Sequence, residues 1–190
     1  MVDRGMINGR FQVFHLKHME YLLAAKMRCK LLYIGITHPD ISAYAATSAN
    51  DLHGTLKRDN PMTYMERYEM IKEALLEFGV KREEFEIVPF PISCVDVLPQ
   101  YLPEHVTHFM SICGPWDKEK CEILRNQGLD VEILWQRYGE ERGITGKEIR
   151  DLIADDQEWR QYVPKSVAEY MESRKIDKRI RRLYYNFSIQ

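Results

Sequence analysis

Short apolar runs alternate with longer segments of helical periodicity over the first part of the chain. Residues 5–8 and residues 30–36 are apolar runs of strand length. Between them, apolar side chains recur at helical spacing over residues 15–28. A strand, a helix and a second strand in this order predict a β-α-β unit.

A second helix is predicted to begin at Thr63. Glu66 follows three residues later, so that the two residues can cap the helix reciprocally in a capping box. Apolar side chains recur at helical spacing up to Gly79, a residue type that commonly follows the last turn of a helix. Residues 85–88 then predict a strand that ends at Pro89.

Two further strands are predicted at residues 106–113 and 131–135, with a helix over residues 116–127 between them. Strands separated by helices of this length indicate a parallel sheet with right-handed crossovers and helices on both faces. The predicted fold class is therefore α/β, a Rossmann-like doubly wound parallel sheet. Such a sheet binds ligands in the crevice at the carboxyl ends of its strands.

The last part of the chain changes in character. A helix is predicted from Pro164, and it becomes strongly basic at residues 178–182. We therefore divide the chain into an α/β domain over residues 1–163 and a basic C-terminal helical tail over residues 164–190. The tail's apolar side chains recur every four residues, so it is expected to pack on the domain or on a second subunit of a homo-oligomer, or else to contact another partner.

Composition excludes several classes of protein. The chain carries 27 Lys and Arg against 29 Asp and Glu, a formal net charge of −2, which gives no footprint for general nucleic-acid binding. It has no uncharged apolar run of the roughly 18 residues that a membrane span needs. We expect a cytoplasmic protein, because the N-terminus does not resemble a signal peptide and the cysteines form no C-x-x-C pair. These cysteines are Cys29, Cys94, Cys113 and Cys121.

Two histidines three residues apart, His15 and His18, follow the first predicted strand and open the first helix. At this turn of an α/β sheet, the backbone N–H groups of the helix and its dipole favour an anion, and Gly9 places no side chain in the way. Both imidazoles can donate to one phosphate group. Two alternatives stay open: ordinary histidines at a helix start, and a metal site, for which two histidines without a nearby carboxylate or thiol supply too few ligands.

A second helix N-terminus with anion-binding chemistry is predicted at the start of a helix over residues 145–154. Thr145 is the expected cap, and Lys147 and Arg150 are cations three residues apart. A hydroxyl, exposed N–H groups and two cations suit the outer phosphates of a triphosphate. The alternative is an ordinary capped surface helix. Gly146 and Lys147 do not form a P-loop, because the spacing of that motif is absent.

Together the two segments resemble the nucleotidyltransferase superfamily of the His-Ile-Gly-His type. Its motif G-x-F-x-x-x-H-x-x-H matches at Gly9, Phe11, His15 and His18. In its second motif, I-S-x-T-x-x-R, Ile144 and Arg150 match, Thr145 replaces Ser, and Lys147 stands in place of the usual Thr. Lys17 occupies the position that is usually Gly. The resemblance spans about residues 4–165.

The resemblance implies transfer of a nucleoside monophosphate from a Mg²⁺-bound triphosphate to the phosphate or phosphonate of a small acceptor, with release of pyrophosphate. It implies catalytic roles for His15, His18 and Arg150, and a Mg²⁺ ion held largely by the triphosphate, with no dedicated protein ligands. A long loop over residues 37–61 is interpreted as a mobile lid that closes over the nucleotide. The implied nucleotide-binding residues are Gly9, Arg10, Phe11, Gln12, Thr145, Lys147, Lys57 and Arg58.

The donor and the acceptor stay open at this stage. Residues 60–67 resemble the N-P-x-T-x-x-E-R segment of archaeal-type nicotinamide mononucleotide (NMN) adenylyltransferases, but the connection after the third strand lacks the Trp of that family. Other segments are similar to cytidylyltransferase domains of phosphonate pathways. AMP and CMP transfer therefore both remain, and a non-catalytic nucleotide-sensing module is the alternative. The predicted acceptor-binding residues are Phe90, Ile92 and Tyr101.

Overall fold

The computed structural model describes residues 1–39 and 57–187. Its centre is a five-stranded parallel sheet in the order β3-β2-β1-β4-β5. The order reverses between β1 and β4, which places a crevice at the carboxyl ends of these two strands. The α/β prediction is confirmed. The strands are β1 (Val2–Gly9), β2 (Cys29–Thr37), β3 (Phe85–Phe90), β4 (Thr107–Ile112) and β5 (Asp130–Gln136).

Six helices in the described residues cover the sheet and extend beyond it. None of them combines the length and the apolar character that a membrane crossing needs. Most of the predicted lid, residues 40–56, lies outside the described residues, and its end is a short 3-10 turn at Lys57–Asp59. The helices are α1 (Leu16–Lys26), α2 (Tyr64–Glu77), α3 (Pro115–Asn126), α4 (Gly146–Ala154), α5 (Lys165–Ser173) and α6 (Ile176–Phe187).

Local sequence signals explain both ends of α2, whereas the structure contradicts two other predictions made from the sequence. The capping box of Thr63 and Glu66 is present, and Gly79 follows the helix with φ +79°. Pro89 does not end β3, because β3 is an edge strand and can include a proline without breaking a ladder on both sides. The single helix expected from Pro164 is instead two helices, which separate where Lys175 takes φ +57°.

Apolar clusters fill both faces of the sheet, and the C-terminal helices belong to one of them. α5 packs on α2, and α6 packs on α4. Buried side chains of both helices, such as Met171 and Ile180, join the cluster that also contains α1 and α2, whereas α3 packs in the second cluster. Arg179 of the basic stretch donates to both carboxylate oxygens of Glu66, at 2.7 and 2.8 Å. The apolar side chains of α5 and α6, as far as Tyr184, therefore pack against the helices of the α/β domain.

Candidate active site

A cleft of about 380 Å³ opens at the carboxyl ends of β1 and β4. It collects residues from the turn after β1, from the first turns of α1 and α4, and from the segment that follows β4. Ten residues predicted for the site line it: Gly9, Arg10, Phe11, Gln12, His15, His18, Ile92, Thr145, Lys147 and Arg150. The two sequence segments, which are more than 120 residues apart, thus meet in one place.

The first turn of α1 is built around two stacked imidazoles. His15 is the N-cap of the helix, and its Nδ1 accepts a hydrogen bond from the backbone N–H of His18 at 3.3 Å. The ring centroids of the two histidines are 3.7 Å apart, and the ring of Phe11 packs edge-on against His18 at 5.0 Å. Because Nδ1 of His15 accepts, the neutral ring carries its proton on Nε2, where it can donate to a phosphate oxygen.

Burial keeps both histidines in their neutral form. Burial, together with the positive charges of Arg142 and Lys17, lowers the pKa of His15 to about 3. Burial also holds the pKa of His18 well below its usual value, and the neighbouring His15 and Arg10 act in the same direction. Two imidazolium rings stacked this closely would repel each other, which is a second reason for neutrality. Both rings can therefore donate a hydrogen bond without carrying a charge near neutral pH, and the tautomer of His15 is fixed by its cap.

The first turn of α4 has a different cap. Thr145 accepts from the backbone N–H of Glu148, and the carboxylate of Glu148 accepts from both the N–H and the hydroxyl of Thr145, each at 2.7 Å. Gly146 brings this helix close to the turn after β1, since a Cβ atom there would lie 2.7 Å from the carbonyl oxygen of Gln12. Lys147 is exposed and pairs with Asp151 at 2.7 Å.

Arg150 is buried, and its guanidinium donates hydrogen bonds to other groups of the protein. Its side chain is 1% exposed, and it donates to the carbonyl oxygen of Gln12 and, at 2.7 Å, to the carboxylate of Asp59. Asp59, which the sequence analysis did not select, is 3% exposed. A buried ion pair of this kind fixes the position of α4 relative to the turn after β1 and to the end of the lid segment. Arg150 thus reaches the cleft as part of its wall.

Two further side chains brace the turn after β1. Arg67, fully buried at the start of α2, donates to the carbonyl oxygens of Arg10, Thr37 and His38 at 2.7 to 3.0 Å. The carboxamide of Gln12 donates to the carbonyl oxygen of Met62 and accepts from its N–H. The sequence did not lead us to predict this role of Arg67. The feature that could have indicated it is the position of Arg67 at the end of the segment over residues 60–67. Both side chains shape the turn after β1.

Cations and aromatic rings that the sequence analysis did not select complete the cleft. Its lining includes seven Lys and Arg side chains against two carboxylates. Glu20 pairs with both Lys17, at 2.9 Å, and Arg137, at 2.6 Å, and the Arg137 guanidinium lies 4.4 Å from the ring centroid of Trp135. Trp116 also lines the cleft. The excess of positive charge suits a polyphosphate, and the indole rings suit the face of a nucleobase.

Four residues predicted for the site lie outside the cleft lining. Phe90 is fully buried in the second apolar cluster, 6.1 Å from the ring of His108. Tyr101 is 41% exposed at the end of a 3-10 turn. Lys57 and Arg58 are exposed in the turn that precedes Asp59. The structure therefore brings Ile92, and not its two predicted partners, to the cleft.

The residues of this cleft do not form a protein-held metal site. Among residues 1–39 and 57–187, no three His, Cys, Asp or Glu side chains gather where they could ligate one ion. The two stacked histidines have neither a carboxylate nor a thiol as a third ligand.

Two helix N-termini, an excess of cations and two neutral histidines define a phosphate-binding cleft at the switch point of an α/β sheet. This chemistry is of the kind that a nucleotidyltransferase needs. Residues 6–152 match the sequence profile of the cytidylyltransferase-like family, and the chain belongs to this family. The superfamily resemblance and the predicted nucleotidyltransferase activity are confirmed by the family match and by the relatives.

Relatives of known name cover nearly the whole chain. Phosphonoformate cytidylyltransferase of Streptomyces viridochromogenes is 39% identical over 93% of this chain and 95% of its own length. Nicotinamide-nucleotide adenylyltransferase of Thermococcus sibiricus is 31% identical over 95% of this chain and 89% of its own length.

A solved structure confirms the fold alone. The bifunctional NMN adenylyltransferase/ADP ribose pyrophosphatase of Francisella tularensis, complexed with AMP and a manganese ion, superposes with a TM-score of 0.69 at 16% identity. The match covers all of this chain and 54% of that larger protein.

Proposed function

We propose that this protein transfers CMP from CTP to the phosphonate or phosphate oxygen of a small acceptor. The observation that carries the proposal is the 39% identity to phosphonoformate cytidylyltransferase over 93% of the chain, against 28 to 31% for the NMN adenylyltransferases compared with it. The neutral histidines and the cationic cleft support the chemistry of the transfer.

In the proposed reaction, an ionised acceptor oxygen attacks the α-phosphorus of CTP in line. A new bond forms between that oxygen and phosphorus, the bond from the α-phosphorus to the bridging oxygen breaks, and pyrophosphate leaves with the electron pair. The acceptor oxygen is already ionised near neutral pH, so the reaction needs neither a general base nor a covalent intermediate. Catalysis then rests on positioning and on stabilisation of charge in the transition state.

Each part of the cleft has a role in this proposal. His15 and His18 are catalytic residues that donate to phosphate oxygens as negative charge develops there. Thr145, Lys147, Arg10 and the exposed Arg142 bind the outer phosphates.

Arg150 acts as a positioning residue through Asp59 and Gln12. We propose that a divalent cation, Mg²⁺, enters with the triphosphate and is held by its oxygens.

Two wider proposals follow from the sequence. We propose that the protein works in the cytoplasm, which its four free cysteines support. Adenylyl transfer to NMN is the second candidate function. The NMN adenylyltransferase of T. sibiricus, 31% identical to this chain, favours it.

The test is pyrophosphate release by the purified protein with Mg²⁺ and either CTP or ATP. Each donor is combined with phosphonoformate, 2-hydroxyethylphosphonate, 2-aminoethylphosphonate, phosphocholine and NMN. We expect release with CTP and a phosphonate or phosphomonoester. Release with ATP and NMN would replace the proposal by the second candidate, and nucleotide binding without release in any combination would favour a sensing module.

A further inference from the structure

Asn8 is a buried polar residue on the floor of the cleft that the phosphate chemistry does not use. It lies near the carboxyl end of β1, is 4% exposed and lines the cleft. Its Nδ2 makes a weak hydrogen bond to the thioether sulfur of Met110 at 3.6 Å. Its Oδ1 is buried and has no hydrogen-bond partner. The amide thus retains an unused acceptor.

An unused buried acceptor costs stability, so it calls for a physical explanation. Leaving such a group unsatisfied costs about 1–3 kcal/mol, whereas an apolar side chain of the same shape costs little. A thioether is a weak acceptor, and χ2 of asparagine is a soft torsion. The amide can therefore turn its oxygen toward the cleft when a ligand offers an N–H or O–H group.

The position of Asn8 places it beside Ile92, a residue predicted to bind the acceptor. Met6, two residues earlier on β1, packs in the second cluster together with Met110 and Ile92, so strand alternation places the Asn8 side chain on that same face. Ile92 and Met110 line the cleft beside it. Of the two indole rings in the lining, Trp116 packs against this same cluster, whereas Trp135, in β5 at one edge of the sheet, packs against the other cluster.

We propose that Asn8 is a specificity-determining residue that accepts a hydrogen bond from the acceptor substrate. The proposal rests on the function proposed above and names the class of acceptor: a small phosphonate or phosphomonoester that carries a hydroxyl, ammonium or amide N–H group. Phosphonoformate, whose carboxylate is ionised near neutral pH, offers no such donor. The short apolar walls of Ile92 and Met110 favour a small substituent.

The test compares Asn8→Leu and Asn8→Asp with the unmodified protein. For 2-hydroxyethylphosphonate and 2-aminoethylphosphonate, we expect Asn8→Leu to raise KM about tenfold, because one hydrogen bond to the acceptor is lost. KM for CTP should change less than twofold. Thermal stability should stay the same or rise, because an unsatisfied acceptor is removed. Asn8→Asp keeps an acceptor and adds charge, so it should shift preference toward the amine-bearing phosphonate. The matched control is Asn126→Leu at the exposed end of α3, which should change none of these values.

Three results would overturn the inference. Phosphonoformate could prove a better substrate than the donor-bearing phosphonates, or Asn8→Leu could raise KM for CTP, which would assign the amide to the nucleotide. Asn8→Leu could also lower the melting temperature and leave acceptor KM unchanged, which would make Asn8 a packing residue. Calorimetric binding of 2-hydroxyethylphosphonate to the unmodified protein and to Asn8→Leu tests the inference even if no acceptor gives pyrophosphate, an outcome that would contradict only the proposed function.

Discussion

The two helix N-termini in the cleft look equivalent in the sequence but differ in structure. At α1, the first turn contains no acidic residue, and its cap is a neutral buried imidazole. At α4, the carboxylate of Glu148 already accepts from the N–H and the hydroxyl of Thr145. An incoming phosphate meets unoccupied donors at α1, whereas at α4 it must compete with a carboxylate of the protein itself.

The difference assigns separate tasks to the two helices. The start of α1 is suited to the reacting phosphate, because its donors are neutral and the tautomer of His15 is already set by the cap. The start of α4 is suited to hold the cleft together through Gly146 and Arg150, with Lys147 as an adjustable cation at the surface. The start of α1 thus stabilises charge, whereas the start of α4 holds the cleft in shape. Five expected results test this division.

The largest expected effect is on stability, from Arg150→Ala. The change leaves the Asp59 carboxylate buried without its partner, which typically costs about 3–5 kcal/mol of unfolding free energy. Urea unfolding measures the loss. The double variant Arg150→Met with Asp59→Leu should recover most of the stability, and Arg160→Ala on the surface serves as the control. Loss of activity from Arg150→Ala with unchanged stability would show that the α4 residue acts directly on phosphate.

His18→Ala should lower kcat by about 10²- to 10³-fold, the usual consequence of removing one preorganised donor to a developing oxyanion. Nucleotide affinity should change little, because other groups hold the outer phosphates. Steady-state kinetics and calorimetric titration with CTP separate the two quantities. His105→Ala, which alters an exposed histidine outside the cleft, is the matched control. Equal activity in His18→Ala would remove His18 from the mechanism.

Acid should destabilise the protein through His15. Its folded pKa of about 3 lies below the unfolded value near 6.5, so protons favour the unfolded chain. The contribution is complete above pH 6.5 and is lost as the pH falls toward 3, by about 2–3 kcal/mol at pH 4.5. The variant His15→Asn keeps an N-cap acceptor without a titrating ring. Its unfolding free energy should fall less steeply between pH 6.5 and 4.5, and an identical slope would contradict the neutral, buried imidazole.

Gly146→Ala should destabilise the protein by about 1–2 kcal/mol, because the new Cβ atom meets backbone atoms of Gln12 and Val13 at 2.7 and 3.0 Å. The backbone must shift, so kcat should fall as well. Gly114→Ala is the control for stability, since a Cβ atom there has nothing within 4 Å. If both substitutions are equally neutral, the approach of α4 to the turn after β1 does not position the site.

The smallest effect is expected from Lys147→Ala. Its exposed pair with Asp151 contributes about 0.3–0.5 kcal/mol, and its charge is one of several near the outer phosphates. KM for CTP should rise a few-fold without a change in kcat. A change in kcat as large as that of His18→Ala would make the two helix starts equivalent after all.

The sequence was sufficient for the order of strands and helices, because apolar periodicity and caps such as Thr63 with Glu66 are local. It was also sufficient to predict that His15 and Arg150 lie in one cleft, since both follow strands of a parallel sheet. It could not separate their tasks, because the partner of Arg150, Asp59, lies 91 residues away. The same holds for Arg67, whose three carbonyl partners lie in the turn after β1 and at the end of β2, at least 29 residues away.

The proline within β3 has a consequence for how the molecule meets its neighbours. An edge strand offers unpaired backbone groups to any foreign strand, and this is a common route to aggregation. Pro89 removes one donor from this edge and interrupts the regular ladder that a second sheet would need. Among the described residues, the β3 edge is therefore a poor template on which another chain could extend the sheet.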